Sequence, residues 1–305
     1  MTTAMFLANP TYTLGNFRIW TQKMHDAILS TGINDASGSG SITYGKDSTA
    51  FESIAAPGTG VANVSGFQTY KFNDALQATH PVYIRIKYGG GSAATYPSLY
   101  VTVGTTHNTD SGSVSGPPVT LTDDQYAGNG VMTDEPAYWM VAGGDNWLVL
   151  TGPAWEPGTA ATADETFLFS VERTKDTNGD DTDEGILVAG VNSSATYRWY
   201  TMPFVGLTPP FDSKWSTVVS NLSSPMTFGG RQMVCPLFPI TGVKPYPGKN
   251  ILVTQDENFR DLDVIPISIY PDVTNNYFKH PLGGTTAGFN QPGAGAQAVI
   301  LHRWD

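Results

Sequence analysis

Charge is scarce in this 305-residue chain. Only 14% of its residues are Asp, Glu, Lys or Arg, against about a quarter in ordinary globular proteins. Basic residues are scarcer still: 16 Lys and Arg face 27 Asp and Glu, a formal net charge of −11. No run of Lys and Arg occurs, so the chain lacks the clustered positive charge that neutralises phosphates, and nucleic acid is not an expected partner. Cysteine is nearly missing. The single Cys235 excludes a disulfide within the chain and suits synthesis in a reducing cytosol. Flanked by Val234 and Pro236, it reads as a small buried apolar residue, with no base nearby in sequence to make it a reactive thiol. Long apolar runs are also missing. Stretches such as Trp147 to Leu150 are far short of the roughly 18 residues a spanning helix needs, so membrane insertion is not expected. The start, MTTAMFLANP, has no basic segment ahead of an apolar one, which predicts no secretory leader.

The familiar signatures of catalysis and cofactor binding are absent as well. His25, His80, His107, His280 and His302 are far apart, with no HExxH and no paired spacing for a metal. There is no GxSxG elbow. Gly45–Lys46 and Gly248–Lys249 lack the glycine spacing and the following Ser or Thr of a phosphate loop, and no dinucleotide fingerprint occurs. The acidic pairs Asp123–Asp124, Asp134–Glu135 and Asp164–Glu165 fall in loop-like sequence and read as solvated charge rather than as the two carboxylates of a glycosidase cleft. No cofactor and no enzymatic activity are expected.

What the chain does have is turn and strand chemistry. Glycine (33) and proline (21) together make 54 of 305 residues, about 18% against a background near 12%. There are 36 threonines. Threonine suits a pleated, half-buried surface, and glycine and proline suit the bends between short strands. With 40% hydrophobic and 11% aromatic residues, a sizeable core is available, which argues against disorder throughout. The expectation is a mainly β chain.

One helix stands out. Trp20, Met24, Ala27 and Ile28 recur at helical spacing within Phe17 to Ser30, an amphipathic stripe. Asn16 is placed to cap its start and Gly32 to end it. Strands are expected over Ser39–Tyr44, Gly66–Asp74 (with Tyr70 and Phe72 on one face), Pro81–Tyr88 and Ser98–Gly104. In the third, Val82, Ile84 and Ile86 alternate with Tyr83, Arg85 and Lys87, the pattern of a sheet buried on one face. Residues 105–136 are poor in large aliphatics and without clear periodicity, which points to a functional or interfacial segment. Tyr138–Ala142 and Asn146–Leu150 read as a hairpin around Gly143–Gly144–Asp145. Phe167–Thr174 and Ile186–Val191 read as a second hairpin with an acidic tip, and Thr196–Met202 as an aromatic strand. Val264–Tyr270 and Ala298–Trp304 are candidate closing strands. A weak boundary, resting on the Pro/Gly/Ala/Thr-rich stretch Gly152 to Ala163, divides the chain into an N-terminal helix plus first β domain (1–155) and a second β domain (156–305). The expected fold is antiparallel, sandwich-like β units with one N-terminal amphipathic helix.

Two features could carry binding. DTNGDDTDEG, Asp176 to Gly185, places Asp176, Asn178 and Asp180 at positions 1, 3 and 5 of a calcium-loop pattern. The pattern then fails, with Asp181 in place of the glycine and Leu187 in place of the final glutamate. An exposed hairpin tip is the stronger expectation. The tryptophans Trp20, Trp139, Trp155 and Trp215 are the candidate interface anchors. Aromatics near turns can also stack on sugars, but core or subunit interface is favoured over sugar contact.

The block GFQTYKFNDALQATHPVYIRIKYGGG, followed by YPSLYVTVG, resembles a segment of structural proteins of tailed bacteriophages. There, a helix carrying a tryptophan precedes a similar pattern. The matching residues here are Phe72, Asn73, Asp74, Leu76, Pro81, Ile84, Ile86, Tyr88, Gly89, Pro97, Val101, Val103 and Gly104. The likeness spans residues 14–116 and carries no catalytic residue. It implies a virion component of the tail, baseplate or host-attachment apparatus, made in the host bacterial cytoplasm and used in several copies. Its expected partners are copies of itself, as a trimer or ring, and other virion proteins, with a host-surface glycan as a further partner if it is an adhesin. A polysaccharide-degrading hydrolase is the remaining alternative. A net charge of −11 disfavours a place against packaged DNA.

Overall fold

The computed structural model describes residues 2–8, 14–40, 63–90, 97–109, 113–115, 119–120, 125–126, 137–154, 167–191, 197–203, 227–228, 231–232, 234–236, 248–254, 263–270, 273–279 and 299–305. These residues form one helix, one short 3-10 turn and twenty-one strands. In chain order they are β1 (Thr2–Ala8), α1 (Leu14–Ser30), β2 (Asn34–Gly40), β3 (Asn63–Lys71), the 3-10 turn Ala75–Ala78, β4 (Tyr83–Gly90), β5 (Pro97–Gly104), β6 (Thr106–Asn108), β7 (Ser113–Ser115), β8 (Val119–Thr120), β9 (Gln125–Tyr126), β10 (Ala137–Gly144), β11 (Trp147–Ala154), β12 (Phe167–Lys175), β13 (Asp181–Val191), β14 (Tyr197–Pro203), β15 (Thr227–Phe228), β16 (Arg231–Gln232), β17 (Val234–Pro236), β18 (Ile251–Thr254), β19 (Val264–Tyr270), β20 (Val273–Lys279) and β21 (Val299–Arg303). The chain is mainly β, its sheets antiparallel.

Three sheets hold most of the strands. The first runs β1-β10-β11-β12-β13-β14. The second runs β2-β3-β4-β5-β8, with β9 also on β5. The third runs β17-β18-β21-β20-β19. Two small ribbons, β6-β7 and β15-β16, complete the set. Period-2 patterning explains the second sheet. Val82, Ile84 and Ile86 are fully buried while Tyr83, Arg85 and Lys87 between them are only partly so. Register then stacks like on like: Tyr70 opposes Ile84, Ile84 opposes Val103, and Ile86 opposes Val101.

The helix buries Trp20, Met24, Ala27 and Ile28 and exposes Lys23 and Asp26. It ends as its glycine requires. Gly32 takes φ +107°, a left-handed value that costs a residue without Cβ nothing, and its N–H bonds the Leu29 carbonyl at 3.2 Å. The helix starts earlier than its apolar stripe, however, so Asn16 lies in the first turn and is not the cap. Its buried face joins residues of both six-stranded sheets in one core, where Trp20, Met24 and Ile28 gather with Tyr70, Phe72, Ile84, Val101, Trp139, Val141, Leu150, Phe169, Val171 and Val188.

Several expectations need correction. Of the strand expected at Ser39–Tyr44, Ser39 and Gly40 close β2, Asn34–Gly40, which begins earlier than expected and carries a bulge between Asp35 and Gly38, while residues 41–44 lie outside the described residues. Its sequence NDASGSG has poor strand propensity, and pairing with β3 decides its state. β1 was not anticipated; it pairs with β10, more than a hundred residues away. The 105–136 stretch contains the β6-β7 ribbon and two short strands on β5. The boundary at 155/156 falls between β11 and β12, and these are hydrogen-bonded neighbours, with Leu150 opposite Phe169. A sheet shared by both proposed halves cannot be a seam between domains. The two hairpins fall where turn chemistry put them, β10-β11 across Asp145–Asn146 and β12-β13 across the acidic tip.

Candidate functional site

Among the described residues, β12 concentrates the buried charge. Its alternation sends Phe169 and Val171 into the main core, with Arg173 following on the same side. Ser170, Glu172 and Thr174 therefore take the opposite side. All four of Ser170, Glu172, Arg173 and Lys175 are buried, and charged groups are rarely buried unless paired.

Each has its partner. Arg173 donates from Nη2 to Asp74 Oδ1 at 2.8 Å and from Nε to Asp74 Oδ2, and its Nη1 bonds the His80 carbonyl at 3.0 Å. Asp74 and His80 flank the 3-10 turn between β3 and β4, so this guanidinium ties the first sheet to the second. Glu172 faces the third sheet. Its two carboxylate oxygens accept the backbone N–H groups of Lys249 and Asn250, each at 2.9 Å. Asn250 in turn donates from Nδ2 to Ser170 Oγ (2.9 Å) and to the Val171 carbonyl (3.1 Å). Gly248 is required here by close approach: a Cβ would lie 2.6 Å from Glu172 Oε1 and 3.0 Å from Leu187 Cδ1.

The seam extends through the third sheet. The Arg303 N–H bonds the Asn250 carbonyl at 2.8 Å, its side chain donates to Asp305 at 2.8 Å, and its guanidinium lies 4.1 Å from the centre of the Trp147 ring on β11. Tyr277 donates its hydroxyl to the Lys249 carbonyl at 2.7 Å. Burial, then the nearby Glu172 charge, raises its pKa far above the usual phenol value. Lys249 is shifted the other way, its ammonium disfavoured first by burial and then by the charges of Lys175 and Arg303. Beside this seam Met140 packs with Phe278 and Trp304. Except for Asn250 Oδ1, which is buried without a hydrogen-bond partner, the donors and acceptors described here are spent on holding one strand to the next.

The sequence-based candidates end up in different places. At the hairpin tip, Asp176 Oδ1 accepts the N–H groups of Asn178 (2.8 Å) and Asp180 (2.9 Å), a side-chain-stabilised turn. Gly179 is buried at φ +86° with the Tyr270 ring against it, so the tip is also a packing element. Among the described residues, no three His, Cys, Asp or Glu side chains gather to hold a metal ion. Trp20 and Trp139 are fully buried and pack on each other, ring centroids 5.4 Å apart. They are interior residues of this chain's own core, with no surface left for a partner, and their assignment as interface anchors is corrected accordingly. Trp155 and Trp215 lie outside the described residues, as do His280 and the acidic pairs at 123–124, 134–135 and 164–165. Cys235 lies on β17. His25 meets Tyr70, Nδ1 to hydroxyl 3.1 Å. Among the described residues no helix is long and apolar enough to cross a membrane.

Sequence reasoning missed Glu172, Arg173, Lys175 and Asn250. One signal was there to find: Arg173 continues the Phe169, Val171 alternation and so falls on the core-facing side, where an arginine needs an acid.

No model of a known protein family matches this chain, and no curated protein matches it.

Proposed function

We propose that the chain is a structural subunit of a tailed-bacteriophage virion, in the tail, baseplate or host-attachment apparatus, working through protein–protein assembly and not through catalysis. What carries the reading is the duty of the residues in the phage-like segment. Phe72, Ile84, Ile86, Val101 and Val103 are fully buried core. Asp74 receives the buried Arg173. Gly104 has Ser115 O at 2.6 Å from where a Cβ would stand. A likeness made of such positions is a likeness of scaffold, and scaffold is what a virion subunit contributes. On this reading the two six-stranded sheets form a sandwich-like unit around the amphipathic face of α1, and copies of the chain assemble with each other and with other virion proteins as a trimer or ring.

The test is direct. Purified phage particles whose genome encodes a tagged copy of this chain should carry the tag at the tail or baseplate, in a copy number matching the local symmetry. Tag recovered only in the soluble fraction of the lysate, with tag-free particles, overturns the reading.

A further inference from the structure

Lys175 is a buried amine between two carboxylates. It stands at the end of β12, in register with Asp181 at the start of β13. Its side chain is 3% exposed, and Nζ donates to Asp181 Oδ1. Glu172 Oε2, itself 5% exposed, lies 3.5 Å from the same nitrogen. The second oxygen of Asp181 accepts a hydrogen bond from Asn146 Nδ2. Lys249, close enough to feel the Lys175 charge, adds a further cation to the cluster. The Lys175, Glu172 and Asp181 arrangement brings a nucleophile, a proton carrier and a carboxyl carbon together at the tip end of the β12-β13 pair, with the amine and Glu172 buried and Asp181 open to solvent on one side.

We propose that Lys175 and Asp181 condense into an intramolecular isopeptide bond, with Glu172 as the proton carrier. The Lys175 ammonium gives a proton to Glu172, which passes it to the Asp181 carboxylate. The free amine attacks Asp181 Cγ, whose carbonyl oxygen is polarised by Asn146. The second departing N–H proton travels through Glu172 to the hydroxyl that leaves. A C–N bond forms, a C–O bond breaks, one water departs, and Glu172 is regenerated as a carboxylate; no oxidant or co-reactant is needed. Two physical effects favour the step. Holding the two groups in contact replaces a bimolecular encounter with a unimolecular one. The product amide is neutral, so the desolvation cost of the buried Lys175 charge disappears. The side chain of Asp181 is 29% exposed, which gives the released water an exit. The bond would close the tip that carries Gly179 beneath Tyr270, in a chain whose single cysteine cannot supply an internal disulfide.

Intact-mass spectrometry of the purified, folded full chain tests this. The expected mass is one water below that of the sequence. After tryptic digestion, residues 174–198 should emerge as a single peptide, uncut at Lys175 and lighter by one water, and mild alkali should leave it unchanged. Lys175→Arg, Asp181→Ala and Glu172→Gln should each restore the full mass. The proposal is overturned if the folded wild type has its full sequence mass. It is overturned equally if the loss of water persists in Lys175→Arg, or if mild alkali reverses it, which would mark a succinimide at an aspartate. A bond formed undiminished in Glu172→Gln overturns the role given to Glu172.

Discussion

Arg173 and Asp74, 99 residues apart in the chain, meet in a two-pronged ion pair with the guanidinium fully buried and the carboxylate 9% exposed. The pair joins a strand of one six-stranded sheet to the turn between two strands of the other. Removing only the acid leaves the buried cation without its carboxylate, which the His80 carbonyl and the Phe72 ring do not replace as a counter-charge. We expect Asp74→Ala to cost about 3–5 kcal/mol in a denaturant titration, the range for breaking one side of a buried pair. Replacing both, Asp74→Ala with Arg173→Met, should recover part of that loss, because an apolar pair needs no desolvation of charge. A single-variant loss below about 1 kcal/mol would show that the pair is solvated and not a tie between sheets.

The third sheet hangs on Glu172. Gly248→Ala puts a methyl where Glu172 Oε1 stands 2.6 Å away, and Leu187 blocks the other escape. The carboxylate must then move off the Lys249 and Asn250 amides. The expected loss is about 1–3 kcal/mol, as for other overpacked sites. Hydrogen exchange should quicken in residues 248–254 and 299–305 while β3, β4 and β5 keep their protection. Uniform quickening across all three sheets would mean that the seam has no local character.

The legible part of this fold is the part governed by local periodicity. Val82, Ile84 and Ile86 announce a one-sided strand, Trp20, Met24 and Ile28 announce a helix stripe, and Gly143–Gly144–Asp145 announces a hairpin; all three are found in place. β1 and β2 were not legible in the same way, because neither pattern nor propensity marks TTAMFLA or NDASGSG as strands; distant partners do. The false boundary at 155 has the same origin. A run of proline, glycine and alanine signals an interruption of pattern, yet β11 and β12 on either side of it are adjacent strands. The charged seam was the least visible. Glu172 and Asn250 look like surface residues until the third sheet covers them, and nothing in their neighbours says that it will.

The acidic tip makes a second point about motifs. Asp176 commits one carboxylate oxygen to two backbone N–H groups, and Asp181 is engaged by Lys175 and Asn146. Oxygens already used in turn and ion-pair contacts are poor material for a cation that wants six to eight. Isothermal titration with calcium should show no binding tighter than about millimolar. Micromolar binding that vanishes in Asn178→Ala or Asp180→Ala would reverse this conclusion.

His25 supplies the pH dependence. It is wedged between α1 and β3, its Nδ1 3.1 Å from the hydroxyl of the fully buried Tyr70. Burial lowers its pKa from the ordinary 6.5, and the charges of Asp35 on β2 and Asp26 on its own helix offset part of that shift. With the folded value below the unfolded one, the unfolded chain binds the proton more readily between the two, so stability rises with pH across that window. The contribution of neutral His25 is thus whole above about pH 6.5 and shrinks as pH falls below it. Denaturant midpoints taken between about pH 7.5 and about pH 5.5 should fall on acidification in the wild type. In His25→Gln, which keeps a polar side chain of similar reach without a titrating proton, the fall over this interval should be smaller. Parallel curves for the two proteins would assign the acid sensitivity to the carboxylates and leave His25 as a packing residue only.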